Sequence, residues 1–250
     1  MPAPGSLWLV GAGNMGGALL GRWRAAGRNV IVGDPRLGLG LPGEGAPETV
    51  VLAVKPQVWQ AATAVLGERI SAGTLVVSIM AGVTLGALTA RFPAATVARA
   101  MPNTPAAVGR GVSGLFSTTA SGGERARLAA LFADAGTTVW LDREADFDAL
   151  TAVSGSGPAY VFAFIEALAA AGEAAGLAPA LALRLATATV TGASVLADGG
   201  TPAVDLRAAV TSPNGTTAAG LAVLLSGLPP LLRDTVAAAA ARSRALGTPS

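Results

Sequence analysis

The chain has 250 residues, 52% of them apolar and only 13% charged, with a net charge of +2. That is enough for one large or two modest domains with real cores, and too apolar for disorder. Cys and His are absent, which excludes disulfides, thiol nucleophiles, Ser-His triads and the commonest metal ligands, so no metal site is expected. Arginines are scattered and do not interleave with aromatics, which argues against nucleic-acid binding. No cationic start followed by an apolar run opens the chain, and a cytoplasmic protein is expected. The uncharged stretches 70–90 and 208–232 are broken by Gly, Pro and Asn, and read as buried elements or a subunit interface rather than membrane spans.

In chain order, Leu7-Trp8-Leu9-Val10 reads as a buried parallel strand, followed by a helix from Asn14 to Ala26. Strands are expected at 29–32, 50–54, 74–79, 96–99, 112–117 and 137–141, and helices at 56–67, 85–92 and 123–135. Residues 36–47, rich in Gly and Pro, read as loop. This alternation predicts a Rossmann-type, doubly wound parallel sheet. After about residue 147 strands give way to helices at 159–175, 179–196, 202–210, 217–225 and 229–245. The expected domains are therefore 1–147, dinucleotide-binding, and 148–250, all-helical.

Gly11-Ala12-Gly13-Asn14-Met15-Gly16 matches G-x-G-x-x-G between a strand and a helix, with Asp34 at the end of the next strand. Glycines there permit a tight turn and close approach of backbone to a pyrophosphate, which then faces the helix N-terminus. Asp34 favours NAD through a ribose hydroxyl, and Arg36 favours NADP through a 2′-phosphate. The two point in opposite directions, and a solvated turn would also account for both. The only lysine, Lys55, follows a strand end, where open α/β sheets bind ligands. Tyr160 lacks a lysine four residues on and reads as a packed helix residue.

Five further segments carry a resemblance: Ala53-Val54-Lys55-Pro56-Gln57, Ala81-Gly82-Val83-Thr84, Met101-Pro102-Asn103-Thr104-Pro105, Ser154-Gly155-Ser156-Gly157-Pro158-Ala159-Tyr160, and Val210-Thr211-Ser212-Pro213-Asn214-Gly215-Thr216-Thr217. In this order and spacing the chain resembles the pyrroline-5-carboxylate reductase family along nearly its whole length. The resemblance implies reduction of the C=N bond of 1-pyrroline-5-carboxylate to L-proline by NADPH or NADH, with NADPH preferred. It implies that Thr217 is catalytic, its hydroxyl on the ring nitrogen. Ser212 and the amides near Gly215 and Thr216 would hold the carboxylate. Cofactor contacts are implied for residues 11–16, Asp34, Arg36, Ala53, Val54, Lys55, Pro56, Ala81, Gly82, Asn103 and Ser156. It also implies a homodimer built by the helical domain, which can assemble further into a ring such as a decamer.

Chemically this is coherent. A cyclic imine can arrive already protonated, so a chain without His needs no strong general acid, and the loop before 217 offers backbone N–H groups to an anion. An ordinary helix N-cap by Thr211, Ser212 or Thr216 is the structural alternative. Two departures stand out. The stretch between Asp34 and Val50 lacks a helix and strand usual in the family, which is expected to leave the adenosine end open. Asn214 stands where a glycine is usual, in a turn that Asn tolerates. Rival readings are an imine reductase acting on another substrate, a β-hydroxyacid dehydrogenase, which would need a lysine in the helical domain, and a non-catalytic redox sensor.

Overall fold

The computed structural model describes residues 6–42 and 45–247. Seven strands form one sheet in the order β2-β1-β3-β4-β5-β6-β7. They are β1 (Leu7–Val10), β2 (Val30–Gly33), β3 (Thr49–Leu52), β4 (Leu75–Ser78), β5 (Thr96–Met101), β6 (Gly111–Phe116) and β7 (Gly136–Trp140). β1, β3 and β4 are buried along their whole length, as continuous apolar runs in a sheet covered on both faces must be. Alternate residues serve opposite layers. Leu7, Leu9, Val51 and Val77 pack with Leu19 and Trp23 of α1 (Asn14–Ala25) and Leu128 and Phe132 of α4 (Gly122–Ala133). Trp8, Val10, Val50 and Leu52 pack with Trp59, Leu85, Leu88 and Phe92.

The sheet is mostly parallel, and one pairing corrects the sequence reading. β5 and β6 run antiparallel, with Arg99 opposite Phe116 and Met101 opposite Gly114. Between them lies only a short 3-10 turn, Thr104–Val108, ended by Gly109 in the left-handed region. A parallel return needs a crossover of a dozen or more residues, and this connection is too short. The segment read as a helix over 56–67 is also broken. It comprises 3-10 turns at Pro56–Val58 and Ala64–Arg69 around a single turn, α2 (Trp59–Ala62). The Thr63 hydroxyl donates to the Gln60 carbonyl at 3.1 Å, a local bond that competes with helix propagation, and Gly67 is non-helical. Next comes α3 (Leu85–Arg91), capped by Thr84, whose side chain accepts from the Ala87 amide.

The chain divides into two compact units. The first comprises residues up to Ser156 together with Ala238 onward, and the second is Gly157–Ala237. Helix α5 (Asp146–Leu150) runs through a π turn at Thr151–Gly155 toward α6 (Gly157–Ala174). Residues 154–158 are therefore largely helical. In the second unit α6 packs on α7 (Pro179–Asp198), where a Cβ on Gly172 would lie 3.3 Å from that of Ala182. A short α8 (Ala203–Ala209) follows.

The last element, α9 (Thr216–Gly247), is one helix where two were expected; Pro229 and Pro230 lie inside it. The prolines free the carbonyls of Leu225 and Ser226, and both residues are exposed, so water can satisfy them. This continuity bears on the membrane reading. By length and composition alone, Asp146–Ala174, Pro179–Asp198 and Thr216–Gly247 are each long and apolar enough to span a bilayer. The two stretches tested in the sequence pass over the first two of these helices and break the third at its prolines.

Candidate active site

In the order β2-β1-β3 the chain reverses direction of travel across the sheet at β1 and β3, and ligands of open α/β sheets bind at the carboxyl ends of strands beside such a point. Three strand ends are tied together there. The Gly11 amide donates to the Gly33 carbonyl and the Ala53 amide to the Val10 carbonyl, both at 2.8 Å. Each glycine of the first loop has its own reason. Gly11 has φ +92, and a Cβ on it would lie 2.7 Å from the Ala53 oxygen. A Cβ on Gly16 would lie 2.4 Å from the Gly11 oxygen, so these two let strand, turn and helix close up. Gly13 differs: its open face meets only the Arg36 guanidinium, 3.6 Å from where a Cβ would stand. A cradle kept bare at Gly13, facing the start of α1, fits a dinucleotide's pyrophosphate.

Around this loop lies a cleft of about 1050 Å³, the upper end of the range for small-molecule sites. Of the expected cofactor residues, Gly11, Gly13, Asn14, Met15, Gly16, Asp34, Arg36, Ala53, Val54, Lys55, Pro56 and Ala81 line it. Ala12 contributes by its amide, which donates to Asp34 Oδ2 at 2.8 Å. Lys55 is exposed on the turn after β3.

Asp34 is 2% exposed and accepts further bonds from the Arg36 amide at 3.0 Å, Nε at 3.1 Å and Nη2 at 2.7 Å. Hydrogen bonding to that guanidinium holds its carboxyl well below the usual carboxylate range. The two residues that pointed to different cofactors are thus one ion pair.

Three expected cofactor residues are not brought to this cleft. Gly82 lines a separate polar cavity with Arg99, Glu144 and Ser243, and its φ of +77 lets the Leu246 carbonyl approach. Asn103 is buried as a brace: Nδ2 donates to the Ser154 carbonyl at 3.0 Å and Oδ1 accepts from the Val112 amide at 2.8 Å. Ser156 closes the π turn, its amide donating to the Thr151 carbonyl. All three positions were implied by resemblance; partners far along the chain set the surroundings of Gly82 and Asn103, and a local turn those of Ser156.

Conversely, the sequence reading missed Leu39, Leu41, Val58 and Val65, which line the cleft. The expected open adenosine end is instead walled. The loop after β2 folds back through a bridge between Asp34 and Leu39, and Leu41 packs against Gly33. Apolar residues in a Gly- and Pro-rich loop were the available signal for Leu39 and Leu41.

The loop expected to hold the substrate belongs to the second unit. Thr211 directs its hydroxyl back to the Arg207 carbonyl at 2.6 Å, so it does not cap α9. Asn214 has φ +60, the left-handed conformation that Asn tolerates. A Cβ on Gly215 would lie 2.3 Å from the Ser212 hydroxyl, so only glycine leaves room for that hydroxyl over the turn. Ser212, Thr216 and Thr217 are exposed, and no described residue takes their hydroxyls. The N-terminus of a 32-residue helix thus opens with three unengaged hydroxyls, an arrangement suited to an anion. Among the described residues no group of three or more Asp or Glu could hold a metal ion.

A family model described as pyrroline-5-carboxylate reductase dimerisation matches residues 144–246. Over 95% of both chains, the sequence is 37% identical to the pyrroline-5-carboxylate reductase of Pseudomonas aeruginosa. This chain belongs to the pyrroline-5-carboxylate reductase family. The solved pyrroline-5-carboxylate reductase of Coxiella burnetii superposes with a TM-score of 0.90 at 30% identity, covering 98% of this chain and 99% of its own. That of Plasmodium falciparum, solved with NADP bound, gives 0.81 at 27% identity with the same coverage.

Proposed function

We propose that this protein reduces the C=N bond of 1-pyrroline-5-carboxylate to give L-proline, the last step of proline biosynthesis, in the cytoplasm and with NADPH preferred over NADH. The observation that carries the reading is family identity over nearly the whole chain, joined to a glycine-lined cleft with a bare Gly13. The reduced nicotinamide supplies the hydride when bound. The chain's own residues do the rest. Gly13 and the start of α1, in a loop closed up by Gly11 and Gly16, hold the phosphates; Ala53, Val54, Lys55, Pro56 and Ala81 form the wall beyond them. Arg36, its guanidinium exposed beside Gly13, suits a 2′-phosphate.

Thr217 orients the ring nitrogen through its hydroxyl, and Ser212 with the amides of Gly215 and Thr216 binds the substrate carboxylate at the N-terminus of α9. No side chain has to deliver a proton to an imine that is already protonated, in keeping with a chain devoid of His and Cys. The working form is a homodimer, in which a second copy covers exposed apolar residues such as Phe162, Leu183, Val195 and Val223; such dimers can build a larger ring.

The test is NADPH oxidation on addition of 1-pyrroline-5-carboxylate, with proline identified as the product and activity retained in excess chelator. Turnover of other cyclic imines but not this one would move the assignment to a general imine reductase. Loss of activity on chelation, restored by zinc, would overturn the mechanism.

A further inference from the structure

We infer that Asp34 is not a ribose acceptor but a positioning residue for Arg36, so that an acid at the position that ordinarily selects NAD here builds a reader of the 2′-phosphate. The inference rests on the reading of the cleft as a nicotinamide dinucleotide site.

An ionised carboxylate offers about four acceptor positions. At Asp34 all four are taken. Oδ1 receives the Arg36 amide and Nε, and Oδ2 receives the Ala12 amide and Arg36 Nη2, at 2.7–3.1 Å. The carboxylate is also buried, so a ribose hydroxyl could bond it only by displacing one of these donors. Arg36 is its complement. Its side chain is 69% exposed, only two of its five guanidinium N–H groups are engaged, and it lies against the bare face of Gly13. A planar fork with donors to spare matches a phosphate dianion, and the bidentate grip of Asp34 fixes its plane and removes rotamer freedom before the ligand arrives.

The same geometry predicts a reversal. With Arg36 present, Asp34 helps NADPH by holding the guanidinium. Without Arg36, the freed carboxylate can accept ribose hydroxyls and repel a 2′-phosphate, so Asp34 then disfavours NADPH. A residue whose only duty is to fold the loop shifts both cofactors together whatever stands at position 36.

Direct titration of the purified full chain with NADPH and with NADH, without imine, tests this in wild type, Asp34→Asn, Arg36→Leu and the double variant. The readout is the ratio of Kd for NADH to Kd for NADPH. Arg36→Leu should lower it by at least about tenfold, the scale of a lost charge-assisted hydrogen bond. Asp34→Asn should lower the ratio when Arg36 is present and raise it when Arg36 is Leu.

An unchanged ratio in Arg36→Leu would overturn the inference by assigning the guanidinium to the pyrophosphate. So would an effect of Asp34→Asn with the same sign in both backgrounds. Should Asp34→Asn fail to fold, Arg36→Leu and Arg36→Lys still decide the first point, Lys restoring part of the ratio as a point charge. Because no imine is present, a protein that shows the reversal yet never makes proline would keep this inference and lose the proposed reaction. A wild type that binds neither dinucleotide would lose the cleft reading and this inference with it.

Discussion

Arg99 on β5 and Glu144, just ahead of α5, form a 2.8 Å ion pair in which the guanidinium side chain is only 9% exposed. The same Glu144 oxygen accepts the Leu85 amide at the start of α3, and Arg99 stacks 4.3 Å from the Phe147 ring. One carboxylate thus joins sheet, α3 and the segment entering α5. Glu144→Ala leaves a buried guanidinium and a helix-end amide without their partner. The expected cost is about 2–4 kcal/mol, read by denaturant unfolding. Wild-type stability in this variant would make the pair incidental.

The glycines of the first loop should separate into two kinds. Gly16→Ala drives a methyl into the Gly11 carbonyl and should cost about 1–3 kcal/mol of stability by overpacking, with dinucleotide binding lost as the loop shifts. Gly13→Val meets only the Arg36 guanidinium, at ordinary contact distance. It should melt near wild type yet bind NADPH at least tenfold more weakly, roughly the penalty of one obstructed close approach. Equal melting losses in the two variants would contradict the assignment of Gly13 to the ligand.

In the substrate loop, Thr217→Val should lower kcat by about 10²-fold, the scale of one misplaced polar contact, with Kd for NADPH unaltered. Gly215→Ala should be as damaging, because its methyl displaces the Ser212 hydroxyl. Asn214→Gly should stay active, and Asn214→Val should not, since φ +60 penalises a β-branched residue. Wild-type turnover in Thr217→Val would remove that hydroxyl from the mechanism.

The depressed carboxyl of Asp34 has an acid-side signature. Its stabilisation is fully present above the ordinary value of 3.8 and is lost as pH falls toward the lower folded-state value. The difference in Tm between wild type and Asp34→Asn should therefore hold steady from about pH 8 to 5 and narrow below about pH 4. A gap that stays constant down to about pH 2.5 would show that the charged form is not what stabilises the loop.

Assembly is tested by light scattering at micromolar concentration. Species at twice the 24.4 kDa chain mass or an even multiple of it are expected. An active species at the single-chain mass would require another account of the exposed apolar helices.

Some of this was legible in the sequence for local reasons. G-x-G-x-x-G between an apolar tetrapeptide and a helix start leaves little choice of architecture, and twelve of the positions expected to contact a cofactor line one cleft. The positive φ of Asn214 was likewise foreseeable from the residue type. What escaped was decided at a distance. The direction of β6 depends on how few residues separate it from β5, which strand propensity does not encode. Pro229 and Pro230 read as a break by local rules, yet they lie in a helix whose freed carbonyls face solvent. Gly82 and Asn103 meet Leu246 and Ser154, distant partners that their motifs do not announce. Asp34 and Arg36 were read as competitors because two residues of separation do not reveal a bidentate pair.

The abbreviated loop after β2 has a consequence outside the cleft. Among the described residues β2 ends the sheet, and its outer N–H and C=O groups are a template on which another chain could add a strand. Several features blunt the hazard. The strand is only four residues long, the Asp34–Leu39 bridge turns the chain aside immediately after it, and Pro35 follows without an N–H to extend the ladder. Lengthening β2 or straightening that turn would therefore invite edge-to-edge aggregation, even where the dinucleotide site survived.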